Sequence, residues 1–144
     1  MKKKLRYLGL PVLALILEIL PFGAVCNFAR PATDGSIGRF RELYSYFDLT
    51  PFGYANFAPL LTALLTCLVV VLLAIGCIAQ RPRACAAGKK VLGVAVVVSL
   101  GPLLLGMQYF SFVGALITLS LLAELILLSR AVKEARGAED KDEA

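Results

Sequence analysis

Four long apolar runs, none containing Lys or Arg, divide this chain of 144 residues. A helix of about 20 apolar residues crosses the ~30 Å hydrocarbon core of a bilayer, and each run approaches that length. The pattern predicts an all-α membrane protein, an antiparallel bundle of four transmembrane helices forming a single domain over residues 1–144. The predicted segments are spans at 7–28, 59–79, 91–107 and 112–129, an outer loop at 29–58 and a cytoplasmic polar tail at 131–144.

The outer loop carries apolar residues at helical spacing. They recur at i, i+3, i+7 and i+10, at Ile37, Phe40, Tyr44 and Phe47. This spacing gives one apolar face, and Ser36, after the turn Thr33–Ser36, can cap a helix. We therefore predict a short amphipathic helix over Ile37–Phe47, resting on the outer membrane surface or over the mouth of the bundle.

The net charge of +5 is distributed unevenly. Twelve of the fifteen Lys and Arg residues lie before the first run, between the second and third, or after the fourth. In a four-span arrangement these segments share one side of the membrane, which the positive-inside rule makes cytoplasmic. We expect a multi-pass protein of the cell (plasma) membrane with both termini in the cytoplasm. Because the charge orients the protein in the bilayer, it indicates no nucleic-acid partner.

The composition argues against an enzyme or a metalloprotein. The chain has no His, which excludes a Ser–His or Cys–His nucleophile built within it, and its four Cys form no CxxC pair. The reactive groups of the outer loop, Glu42, Tyr44, Tyr46 and Asp48, form no nucleophile–base pair by spacing alone. We predict no catalytic residue, no metal site and no cofactor.

The aromatic residues are concentrated on one side. Twelve of the thirteen Phe and Tyr lie at or beyond the outer ends of the predicted spans. One interpretation is a girdle at the outer interface together with a loop core. The other is a surface that binds another membrane or envelope protein, making this a non-enzymatic interaction, accessory or structural subunit. The predicted surface comprises Tyr44, Tyr46, Phe47, Asp48, Phe52, Tyr54, Asn56 and Phe57.

Part of this loop resembles a known class of sequences. The stretch YSYFDLTPFGYANFAP, residues 44–59, resembles the outer loop of uncharacterised small four-span integral membrane proteins of Gram-positive bacteria. The resemblance covers these sixteen residues and the order of the spans. It implies a bacterial four-span membrane protein and no particular activity.

Two carboxylates, Glu18 and Glu124, fall within predicted spans. A charged side chain at that depth costs ~3 kcal/mol, so an intramembrane acid suggests a function. The simpler interpretation is a protonated acid hydrogen-bonded between helices. The alternative is a small proton-coupled transporter or channel subunit that uses Glu18, a position similar to the acid in the first helix of small multidrug-resistance transporters. The candidate partners are Thr62, Thr66, Ser99, Gln108, Thr118 and Ser120.

Small residues follow one face of the third span. They are Ala95, Ser99, Pro102 and Gly106, at i, i+4, i+7 and i+11. Small side chains let helices approach closely in lipid. We predict a helix-packing face inside the bundle, or alternatively the seam of a homo-oligomer.

Overall fold

The computed structural model describes residues 6–31, 37–54, 56–79 and 81–142. The protein is mostly helical (72%) and contains a small two-stranded sheet. In chain order the elements are α1 (Gly9–Ile19), β1 (Ala24–Pro31), β2 (Ile37–Tyr44), α2 (Leu49–Gly53), α3 (Ala58–Ile78), α4 (Pro82–Ser99), α5 (Gly101–Leu105) and α6 (Phe112–Asp142). Short 3-10 turns at Arg6–Leu8 and Met107–Tyr109 precede α1 and α6.

Three helical segments are long and apolar enough to cross a membrane. They are Ala58–Ile78, Arg83–Leu105, which joins α4 and α5, and Phe112–Ala131 within α6. They correspond to the predicted second, third and fourth spans and indicate a multi-pass membrane protein. Regular helix extends beyond the predicted spans at two places, since α4 already begins at Pro82 and α6 continues to Asp142, through most of the predicted polar tail.

The first apolar run is not one continuous helix. α1 ends at Ile19, and Leu20 is extended at φ −66° and ψ 139°. The ring of Pro21 disfavours the helical conformation of the residue before it, and the helix ends there. The eleven residues of α1 rise only ~16 Å. The prediction of a span over residues 7–28 is wrong in this respect, because residues 20–23 form a turn and residues 24–28 belong to β1.

The predicted amphipathic helix over Ile37–Phe47 is a β-strand. β2 pairs with β1 in an antiparallel hairpin whose register places Phe28 opposite Phe40 and Ala24 opposite Tyr44. The fold is therefore not all-α. The apolar residues of this segment follow helical spacing, but the end of the first run supplies a partner strand, and backbone pairing with it overrides the local pattern.

The four longest helices surround a common core. The long helices α3 and α4 form an antiparallel pair, α4 also packs on α6, and α1 packs between α6 and α3. The core contains Ala14, Ala63, Val69, Leu73, Leu92, Ala95, Ile117 and Leu121, all buried. Gly76 and Gly88 allow the close contact of α3 with α4, because an added Cβ at either would meet a side chain of the other helix.

The predicted small-residue face of the third span is only partly correct. Ala95 and Ser99 are buried in α4 and face the core. The helix is interrupted after Ser99, so that Pro102 lies in α5, and Gly106 ends α5 with a φ of +128°. Pro at the second position of α5 suits the start of a new helix, and a positive φ at its end favours Gly. The face does not continue along one helix.

Candidate functional site

The hairpin of β1 and β2 lies at one end of the helices, where α1 ends and α3 and α6 begin. We call this the hairpin end. Side chains alternate between the two faces of the hairpin. One face carries Asn27 and Arg41, which donate hydrogen bonds to the backbone carbonyls of Gln108 and Phe110. These bonds attach the hairpin to the segment that joins α5 to α6.

The opposite face of the hairpin carries aromatic rings. The Phe28 ring stacks on Phe40 with centroids 5.3 Å apart and meets Tyr54 edge-on at 4.8 Å. Tyr44 also contacts Phe28 edge-on. We define the aromatic patch as these four rings together with the edge-on pair Phe52 and Phe57. Offset and edge-on pairs of this kind fix ring orientations.

Much of the aromatic patch is exposed. The exposed fraction is 60% for Tyr54, and Phe40, Phe52 and Phe57 are also exposed. Phe47 and Asp48, predicted for the same surface, are exposed as well. An ordered cluster of exposed rings is a feature of surfaces that bind another molecule.

Two residues predicted for that surface are buried instead. Tyr46 is 1% exposed, and its ring lies against Gly23 and Gly114. The backbone N–H of Tyr46 donates to the carbonyl of Glu18, which fixes the hairpin on the end of α1. Asn56 is also buried, and its side chain donates to the carbonyl of Val25. Both residues hold the hairpin in place from its buried side. The side chain of Asn56 binds a backbone carbonyl of β1, and the ring of Tyr46 fills the space left by two glycines.

The hydroxyl of Tyr44 donates a hydrogen bond to the Glu42 carboxylate. This bond raises the pKa of Tyr44 to about 12. The spacing of the two residues alone did not predict the pair. Because a raised pKa keeps the phenol protonated, the pair makes Tyr44 a poorer nucleophile.

Glu18 and Glu124, the two carboxylates predicted to lie within spans, are fully buried. Thr66 is the hydrogen-bond partner of Glu18, with its Oγ1 2.8 Å from Oε1, and it was one of the six candidates from the sequence. Within the described residues Oε2 of Glu18 and both carboxylate oxygens of Glu124 have no hydrogen-bond partner. The two acids lie on α1 and α6, which pack together.

Two cavities lie at the hairpin end. An apolar cavity of about 330 Å³ opens between the hairpin, α4, α5 and α6. A second cavity of about 430 Å³ lies beside it and is lined by Phe22, Arg41, Leu43, Ser111, Phe112 and Val113. Neither of these two cavities is lined by Glu18 or Glu124.

No protein-family model matches this chain, and no curated protein or solved structure matches it. The resemblance of residues 44–59 to four-span proteins of Gram-positive bacteria stays a prediction. The proposed function therefore rests on the chemistry of the described residues.

Sequence reasoning missed Arg41 as a site residue. A helix over Ile37–Phe47 with its apolar face at Ile37, Phe40, Tyr44 and Phe47 gives Arg41 no role in a site. The signal that could have identified it is strand alternation, which places Arg39, Arg41 and Leu43 on one face of β2. Recognising this pattern requires the partner strand β1, and most of β1 falls within the predicted first membrane span.

Proposed function

We propose that the protein is a four-span integral protein of a bacterial plasma membrane and acts as a non-enzymatic interaction or accessory subunit through its aromatic patch. The observation that carries the proposal is the cluster of ordered and exposed rings at the hairpin end. Such rings supply contact area at a small cost in side-chain entropy, and aromatic residues are enriched at the centres of protein interfaces.

The first crossing in this proposal combines α1 with the backbone that follows it. Non-helical backbone is tolerated at membrane depth only where protein covers it. Gly23, Ala24, Val25 and Cys26 are all buried, which meets that condition. The packing of α1 against α3 and α6 supports a bundle of four helices, with the hairpin end outside the cell and both termini in the cytoplasm.

Impermeant thiol labelling tests this topology. In a background lacking the four native cysteines, Tyr54→Cys and Arg83→Cys each place a single thiol on an exposed site, one at the hairpin end and one at the start of α4. We expect the Tyr54→Cys protein to be labelled in intact cells and the Arg83→Cys protein only after the cells are opened. The reverse pattern would contradict the orientation.

The binding role is tested by removing rings without changing the core. The triple variant Phe52→Ala, Tyr54→Ala and Phe57→Ala removes three rings of the aromatic patch, none of which belongs to the buried core. Leu104→Ala is the matched control because Leu104 is 84% exposed on α5. A photo-crosslinking residue at position 40 reports partners in the wild type and in both variants. We expect one discrete crosslinked protein, lost in the triple variant and kept in the control. Equal crosslinking in all three would reject the binding role.

A second candidate function is proton-coupled transport, favoured by the three carboxylate oxygens of Glu18 and Glu124 that have no partner among the described residues. An acid without a partner inside the bundle can take up and release a proton. Reconstituted protein would show proton-linked flux that is lost in Glu18→Gln. Equal flux in the variant would remove Glu18 from the mechanism and leave the interaction role.

A further inference from the structure

We propose that the two cavities at the hairpin end together form a binding site for one anionic phospholipid. In this site the phosphate lies at Arg41 in the second cavity and an acyl chain lies in the apolar cavity. The two cavities share Ser111 as a lining residue, and Phe110, which lines the apolar cavity, accepts the hydrogen bond from Arg41. One molecule with a charged end and an apolar end can therefore occupy both.

The apolar cavity is suited to a hydrocarbon chain. Its volume, about 330 Å³, lies at the lower end of the range of ligand pockets, ~300–1,000 Å³. Gly114 and Ala115 on α6 and Pro102 on α5 leave this space open because their side chains are small. Its lining residues are mainly apolar.

The cavity opens toward the position of the lipid. Leu100 and Leu103 from one side and Leu119 and Leu122 from the other line it, and all four are exposed on the surface of helices that qualify as membrane spans. Apolar side chains exposed on such helices face acyl chains in a bilayer. A lipid chain can thus enter sideways without passing through water.

The second cavity provides the positive charge. The guanidinium of Arg41 is anchored by its Nη2, which donates to the Phe110 carbonyl, and the remaining N–H groups stay available to a ligand. No carboxylate among the described side chains forms an ion pair with Arg41. A guanidinium fork matches the geometry of a phosphate, which anionic and zwitterionic phospholipids both carry. The anionic lipid is preferred because the ammonium group of a zwitterionic headgroup would lie near the Arg41 cation and be repelled by it.

Ser111 shapes the junction between the two cavities and does not bind the headgroup. Its hydroxyl donates to the Phe22 carbonyl at 2.7 Å and accepts from the Gly114 N–H at 3.2 Å. Because its single proton is already donated, Ser111 has none to offer a phosphate, and Arg41 is the group in the second cavity that recognises charge.

The test titrates delipidated full-length protein in a neutral detergent with short-chain phosphatidylglycerol, and follows the thermal unfolding midpoint by circular dichroism. Phosphatidylcholine of the same chain length and inorganic phosphate are the parallel ligands. We expect phosphatidylglycerol to raise the midpoint at concentrations about ten-fold below phosphatidylcholine, because both lipids offer a phosphate to Arg41 but only phosphatidylcholine also brings a cation that Arg41 repels. Inorganic phosphate alone is expected to have no effect, because it leaves the apolar cavity empty.

Three variants separate the two halves of the site. Arg41→Gln is expected to abolish the preference for phosphatidylglycerol, Arg41→Lys to keep part of it, and Arg39→Gln, a charge loss on the same face of β2 outside the cavity lining, to leave it unchanged. The fourth variant, Ala115→Leu, fills the apolar cavity, keeps Arg41, and should weaken both lipids alike. Any variant must first unfold cooperatively without lipid.

Each result of these titrations either supports or overturns the proposed lipid site. The proposal is overturned if wild-type protein responds equally to the two lipids, if inorganic phosphate reproduces the shift, or if Arg41→Gln and Arg39→Gln behave alike. These outcomes are independent of the crosslinking experiment, because the aromatic patch lies on the opposite face of the hairpin.

Discussion

Oγ1 of Thr66 lies 2.8 Å from Oε1 of Glu18 and joins α3 to α1 within the apolar core. The same hydroxyl oxygen lies 2.9 Å from the carbonyl oxygen of Thr62. A threonine hydroxyl carries one proton and cannot donate fully to two acceptors. Both contacts are satisfied when the Glu18 carboxyl carries a proton and donates it to Thr66, which then donates to Thr62. Glu18 in this arrangement is a neutral hydrogen-bond donor.

This relationship predicts that Glu18→Gln retains the stability of the protein, because the amide supplies the donor that the protonated acid supplies. Thr66→Val leaves a buried polar group without its partner and is expected to cost about 1–3 kcal/mol. Thermal or denaturant unfolding in detergent measures both. Equal losses of stability in Glu18→Gln and Thr66→Val would contradict the role of Glu18 as a neutral hydrogen-bond donor.

A second prediction concerns Glu124. Both of its carboxylate oxygens are buried without a partner among the described residues. Replacing such a group by an apolar residue of similar size removes a desolvation penalty of about 1–3 kcal/mol. We expect Glu124→Leu to raise the free energy of unfolding, whereas Glu18→Leu, which breaks the bond to Thr66, raises it less or lowers it. If the single substitution Glu124→Leu lowered the free energy of unfolding, this acid would have a structural partner in the folded protein.

A third prediction tests the contact of α3 with α4. A Cβ on Gly76 would collide with Sγ of Cys85 and approach its backbone nitrogen to 3.1 Å. Gly76→Ala should therefore cost about 1–3 kcal/mol through overpacking. The matched control is Gly93→Ala in α4, where nothing lies within 4 Å of an added Cβ, and there the better helix propensity should stabilise by up to ~1 kcal/mol.

Adding Cys85→Ala to Gly76→Ala removes the sulfur and should restore part of the lost stability. Full recovery is not expected, because the backbone nitrogen remains. If the double variant were as unstable as Gly76→Ala, the contact with the Cys85 side chain would not be the cause.

A fourth prediction concerns alkaline pH. The hydrogen bond to Glu42 raises the pKa of Tyr44 to about 12. A raised pKa in the folded state means that this bond stabilises the hairpin at every pH below the ordinary value near 10, and that its contribution is lost as pH rises toward 12. Phenolate absorbance of the wild type minus that of Tyr44→Phe isolates this titration. Glu42→Gln should bring the midpoint back toward 10, and an unchanged midpoint would mean that Glu42 is not its cause.

Much of the fold was predictable from local pattern. Each of the second, third and fourth apolar runs contains enough residues to span a bilayer, and the structure confirms helices there. The end of α1 could also be predicted from the sequence, because Pro21 disfavours the helical conformation of Leu20 in any environment. The candidate site was predicted in part: exposed rings such as Tyr54 follow from their position beyond the spans, and Thr66 was one of several polar residues that could reach Glu18.

The sequence by itself determined which segments are apolar enough to lie in lipid, and it excluded histidine-based chemistry within this chain. Both properties depend only on composition and on the length of the apolar runs. Only the tertiary structure decided that Ile37–Tyr44 is a strand, because its local spacing favours a helix and pairing with Ala24–Pro31 overrides that preference. It also decided that Tyr46 is buried, since the space for its ring comes from Gly23 and Gly114. Such contacts join residues distant in the chain, and local periodicity carries no information about them.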